Sequence, residues 1–225
     1  MWAHAAKVPW HDGIMKSALV RWACPLLLVS AIVWGQQYKA DKAGPLPPEV
    51  ASGIAQVLGK SGFQITNNGA KYCELWFRTG FPGAAASKEL NVTLPNVPVG
   101  TLVGVIRFDV QGADRRGQTI QPGVYVLRYG VLPDNDSHQG AAPHRDFLLL
   151  TPAGEDRDPN STPKFDALIA LSRKASRTAH PAVLSFWKAD TDAPGFSQQD
   201  DTDWVLQTNV GDTPIAVIVA GVAGS

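Results

Sequence analysis

Hydrophobic positions along the chain fall into short runs with a period of two, separated by glycine, proline, asparagine and aspartate. Residues 101–108 are rich in Val, Ile and Leu, residues 124–131 alternate cleanly, and residues 146–151 carry Phe147 with three leucines. Residues 183–187, 204–208 and 214–220 continue the series, and Gly211-Asp212 turns the last pair. Phe63 and Ile65 lead through Asn67-Asn68-Gly69 into an apolar run over 71–78. Asparagine and glycine accept the positive φ of a tight hairpin turn, so this segment predicts a β-hairpin. A polar turn is expected at 112–117. Seven or eight short strands with such punctuation predict a mainly β protein, an antiparallel β-sandwich or barrel.

Two stretches depart from the strand period. Val50, Ile54, Val57 and Leu58 recur at helical spacing after Pro47-Pro48, with Gly59 as the expected stop. Phe165, Leu168, Ile169 and Ser172 share one helical face. Ser161 or Thr162 is the expected cap, Pro163 suits the first turn, and Arg173, Lys174 and Arg177 complement the dipole at the far end. The sandwich is therefore expected to carry two short helices.

The N-terminal pattern is different again. Residues 22–35 are uncharged and largely apolar, too short for the roughly 20 residues that span a bilayer. Lys16 and Arg21 precede this stretch, and Val33 and Gly35 are small residues at the −3 and −1 positions of a cut before Gln36. Such a series predicts a secretory signal peptide over 1–35, with Met15 as a natural start. Residues 36–48, polar and ending in three prolines, read as a linker, and 49–225 as one β domain with an N-terminal helix. No transmembrane helix is expected in the mature chain.

Charge becomes informative once the leader is set aside. The whole chain is neutral, with 20 basic and 20 acidic residues, and the first 35 residues hold Lys7, Lys16 and Arg21 against Asp12. The remainder is slightly acidic and has no basic field for nucleic acid. Cys73 is the one cysteine outside the leader and has no partner for a bridge. Its apolar neighbours predict a small buried hydrophobe instead of a reactive thiol.

Motifs that carry chemistry are missing. Gly59-Lys60-Ser61 lacks the glycine spacing of a phosphate loop and ends a helix instead of opening one. There is no Gly-x-Ser-x-Gly elbow, no His-Glu-x-x-His and no cysteine-pair zinc spacing. The richest polar segment runs from Asp134 through Asp136 and His138 to His144 and Asp146. Carboxylates and imidazoles this close could hold a ligand or a metal, while a solvated turn between strands explains the same residues more simply. These five residues are the candidate ligand-binding set. No catalytic residue, metal site or cofactor is assigned. Residues 155–160 also cluster oxygens but lack the glycine and closing glutamate of a calcium loop, and read as the approach to the second helix. Trp76, Trp187 and Trp204 lie in strand runs and are expected in the core, Trp76 and Trp187 mostly buried.

The run Gly117-Gln118-Thr119-Ile120-Gln121-Pro122-Gly123-Val124-Tyr125-Val126-Leu127 resembles a phrase of exported bacterial β-sandwich families. More loosely, it is similar to transthyretin-like and carboxypeptidase-regulatory domains. Pro122-Gly123 makes the turn, and Tyr125 and Leu127 fall on one strand face. The resemblance implies fold class and export and carries no catalytic residue. The resulting expectation is a non-catalytic binding or envelope-associated module in the periplasm or outside the cell. Its partner would be a small molecule, a glycan or an envelope protein. The competing expectation is a metal-dependent or carbohydrate-active enzyme using loop 134–146.

Overall fold

A computed structural model describes residues 37–133 and 144–222. Its elements run β1 (Tyr38–Lys42), α1 (Ser52–Val57), β2 (Phe63–Asn67), β3 (Ala70–Phe77), β4 (Leu102–Phe108), β5 (Gly112–Ala113) and β6 (Thr119–Ile120). There follow β7 (Gly123–Val131), β8 (Asp146–Pro152), α2 (Phe165–Ser176), β9 (Val183–Lys188), β10 (Gly195–Gln199), β11 (Asp203–Val210) and β12 (Thr213–Ala220). Ten strands form one sheet in the order β1-β2-β3-β4-β7-β8-β9-β12-β11-β10, and every described pairing is antiparallel. β5 and β6 form a separate small hairpin.

The alternation seen in sequence sorts the side chains onto two faces. Cys73, Leu75 and Phe77 of β3, Tyr125, Leu127 and Tyr129 of β7, Leu148 and Leu150 of β8, and Ile215, Val217 and Val219 of β12 all join one buried cluster. Strands far apart in the sheet therefore share a single interior, so the sheet curls back on itself. Its two edge strands approach each other: the Tyr38 ring of β1 lies 5.5 Å from that of Trp204 on β11, next to β10. The protein is a mainly β, antiparallel sandwich closed nearly into a barrel, with two short helices. Both helices cover the outer face. Ile54 of α1 packs on Trp76, Leu102, Val105 and Val126, and Leu168 of α2 on Phe147 and Leu149.

Asn68 (φ 50°) and Gly69 (φ 82°) make the β2–β3 turn, as the Asn-Gly pair predicts. The helix boundaries differ from expectation, for physical reasons. α1 ends at Val57, not Gly59, because Leu58 bridges to Arg78 and the Gly59 amide donates to Phe77 O at 2.8 Å. α2 starts after Lys164 with no side-chain cap. Arg128 holds the Ser161 and Asp158 carbonyls (2.6 and 2.7 Å), and Lys164 ahead of the helix is extended, so the helix is delayed. Part of the stretch read as linker is β1 itself, whose five residues pair with β2 in unbroken register. β10 carried no strand signal; its sequence, GFSQQ, is mostly polar because the strand is a largely exposed edge. Trp76 is 1% exposed, as expected. Trp187 and Trp204 are only half-buried.

The two ends of the barrel are built differently. One is plugged by the β5–β6 hairpin, where Ile120 is fully buried and a Cβ on Gly112 would meet the Phe108 ring at 2.5 Å. Asp114 accepts from the Arg116 and Gln118 amides, both at 3.0 Å, and Arg115 Nε donates to both oxygens of Asp203 at 3.1 and 2.9 Å. At the opposite end, the mouth, lie the connections at 43–62, 78–101, 189–194 and 211–212, together with residues 132–133 and 144–145 at the ends of β7 and β8.

Candidate functional site at the mouth of the barrel

Strand alternation fixes what the mouth can present. Asp146 opens β8 on the same face as Leu148 and Leu150, so its carboxylate points into the barrel and is fully buried. A buried carboxylate needs hydrogen-bond donors. Here the Thr93 and Leu94 amides donate at 2.9 and 3.3 Å, and the Tyr129 hydroxyl donates at 2.6 Å. Burial pushes the Tyr129 phenol well above its usual range, and the hydrogen bond to Asp146 adds to the shift. Asp146 thus clamps the β3–β4 connection across the barrel end.

The neighbouring Arg145 holds the same connection from outside. Its guanidinium donates to Leu132 O through Nε and Nη2 (2.9 and 2.7 Å) and to Leu90 O through Nη1, and it pairs with Glu89 at 3.1 Å. Thr93 is fixed a second time, because its Oγ1 accepts from the Lys188 amide at 2.8 Å. The β11–β12 turn presses on the same loop: a Cβ at Gly211 (φ 60°) would lie 3.1 Å from Gly80 Cα. These contacts enclose a cleft of about 410 Å³ between residues 81–84, residues 93–97 and the ends of β9 and β12. Phe81, Leu94 and Pro214 supply apolar wall; Thr93, Lys188 and Asp212 line it as well. Neither charged side chain has an ion-pair partner among the described residues.

Of the five residues expected to bind a ligand, Asp134, Asp136 and His138 lie outside the described residues. His144 is exposed, its ring 5.4 Å from that of Trp187 at a tilt of 37°. Asp146 is occupied by the Thr93 and Leu94 amides and the Tyr129 hydroxyl and is not open to solvent. The described part of the expected set is therefore split between outside and inside of the mouth. Among the described residues no group of three or more His, Cys, Asp or Glu is placed to hold a metal ion. The cleft residues carry no sequence signal, because they come from the β3–β4 connection, the end of β9 and the β11–β12 turn, far apart in the chain, and are mostly Pro, Thr, Gly and Ala. What could have been read was Asp146 itself. An aspartate in register with inward leucines must find donors inside.

A second polar centre lies on the outer face of β7. Arg128 is fully buried, and all five of its N–H groups are taken. Nε and Nη2 grip Asp156 at 2.8 and 2.5 Å, Nη1 donates to Gly100 O and Ser161 O, and Nη2 also donates to Asp158 O at 2.7 Å. Thr151 Oγ1 donates to the same Asp156 carboxylate at 2.6 Å. The oxygen cluster at 155–160 therefore serves this arginine and pins the approach to α2. Cys73 is buried, and burial pushes its thiol well above the usual range, as suits a packed side chain. Comparison with family models, with curated proteins and with solved structures found no match to this chain.

Proposed function

We propose that the protein is a non-catalytic binding module whose small-molecule ligand sits in the cleft at the mouth. The observation that carries this reading is the cleft's construction. Its volume of about 410 Å³ falls within the usual range of ligand pockets, and its walls are held by the clamps of Asp146, Arg145 and Thr93. Loops pinned on a rigid β scaffold are where binding surfaces are commonly built. An apolar wall of Phe81 and Leu94 beside Lys188 suits an amphiphilic ligand with a ring or short chain and a polar head. Anilinonaphthalene sulfonate, an aromatic anion of that kind, is a direct probe. Its fluorescence titration is expected to show one saturable site, weakened about tenfold or more by Phe81→Asp, which sets a negative charge against the anion. An unchanged affinity in a folded Phe81→Asp variant would contradict the assignment.

The same reading places the module outside the cytoplasm, in the periplasm or beyond, and envelope-associated. Support comes from the positively flanked apolar stretch over 22–35 with its small-residue exit, and from the resemblance of the run at 117–127 to a phrase of exported β-sandwiches. Mass spectrometry of the protein isolated from an exporting bacterial host is expected to give a mature chain beginning at Gln36. A chain retaining residues 15–35 would oppose export by cleavage.

A further inference from the structure

The sheet has ten strands and two edges, and the edges face each other. A groove of about 480 Å³ lies between Ala40, Asp41 and Lys42 of β1 and Pro194, Gly195 and Phe196 at the start of β10. Phe63 and Leu206 line it too. Ala40, Phe63 and Phe196 pack on the main core yet are only partly buried, so the interior reaches the surface here. Toward the plugged end the gap narrows, where Tyr38 meets Trp204.

Hydrogen-bond parity fixes what β1 offers this groove. The Ala43 amide donates to Gly62 O at 2.9 Å, and the Asn68 amide donates to Gln37 O at 2.9 Å. The register between them is unbroken, so residues 37, 39, 41 and 43 spend their main-chain groups on β2. Ala40 and Lys42 consequently aim N–H and C=O away from β2, on the side where the described residues add no further strand. The groove thus combines an open antiparallel ladder on one wall, a second strand edge on the other, and an apolar floor. Only an extended polypeptide matches all three, with main-chain donors and acceptors toward the edges and alternate apolar side chains on the floor.

We propose that this seam accepts one extended peptide segment of a partner protein, with apolar residues at alternate positions, as an eleventh strand that enters from the mouth. The site is separate from the cleft at the mouth and does not depend on it.

The parity supplies the test. Ala40→Pro removes the N–H that faces the groove and sets the ring in its place, while leaving the ladder to β2 intact, as proline on an edge strand allows. The probe is a blocked heptapeptide alternating threonine and valine, compared with the same peptide N-methylated at alternate residues. With the unmodified peptide, amide exchange at Ala40 and Lys42 is expected to slow about tenfold or more, and Ala40→Pro is expected to lose the binding with an unchanged melting temperature. The N-methylated peptide is expected to fail on the wild-type protein. Equal binding of both peptides, binding undiminished by Ala40→Pro, no protection at β1, or protection that follows dimerisation of the protein instead of peptide addition would each overturn the proposal. Should Ala40→Pro lower the melting temperature, the N-methylated peptide on the wild-type protein decides alone.

Discussion

At the scale of the residue, the most informative side chains are two that the fold consumes for itself. Asp146 looks like a ligand donor in a polar segment, but its alternation partners Leu148 and Leu150 are buried in the core, and that placement decides its role. Asp146→Ala would strand two amides and a hydroxyl inside the mouth. Such a variant is expected to lose about 2–3 kcal/mol of stability, measured by denaturant unfolding, with faster amide exchange at 93–97 than in the distant strands. Arg128 is the counterpart outside the barrel. Arg128→Ala leaves the Asp156 carboxylate buried without its cation and is expected to cost about 3–5 kcal/mol. The Arg128→Ala/Asp156→Ala pair should recover part of that loss, and a double-mutant cycle measures how much. A cycle showing no coupling would contradict the assignment.

Titration follows from the same packing. Tyr129 and Cys73 both have their neutral forms favoured in the folded state. A group whose folded pKa is raised contributes stability in full below its unfolded pKa and loses it as pH rises. The unfolded thiol and phenol ionise near about 8.5 and 10, so the melting temperature is expected to fall between about pH 8 and pH 11. Tyr129→Phe removes the phenol's share and should flatten the upper part of that decline.

At the scale of the element, legibility tracked how much of a segment is buried. β3, β4, β7, β8 and β12 bury most of their residues and announce themselves through Val, Ile, Leu and aromatic content. The Asn68-Gly69 turn was readable because positive φ restricts the residues that can stand there. β1 and β10 are edges; YKADK and GFSQQ satisfy solvent as much as a neighbour, so neither carries a hydrophobic period. Helix ends are illegible for another reason: the long-range bonds that Phe77 O accepts and Arg128 donates override local capping residues. Long-range geometry also hid the candidate site. A cleft assembled from 81–84, 93–97, Lys188 and residues 212–214 exists only after β3, β9 and β12 are brought to one end.

At the scale of the whole molecule, the barrel separates its two ends by construction. One is filled by a hairpin whose Asp114 and Arg115 are tied down, and the other gathers pinned loops around an open cleft. A seam runs along the side where closure stops. Mapping anilinonaphthalene sulfonate on the folded protein by amide chemical shifts shows whether the mouth is the binding site, since it reports where a ligand settles among mouth, seam and outer face. Perturbations are expected at residues 81–84, 93–97, 188 and 212–214, with β1 and β10 left unmoved. Shifts centred on 40–42 and 195–196, or spread without saturation over the outer face, would contradict a binding site at the mouth.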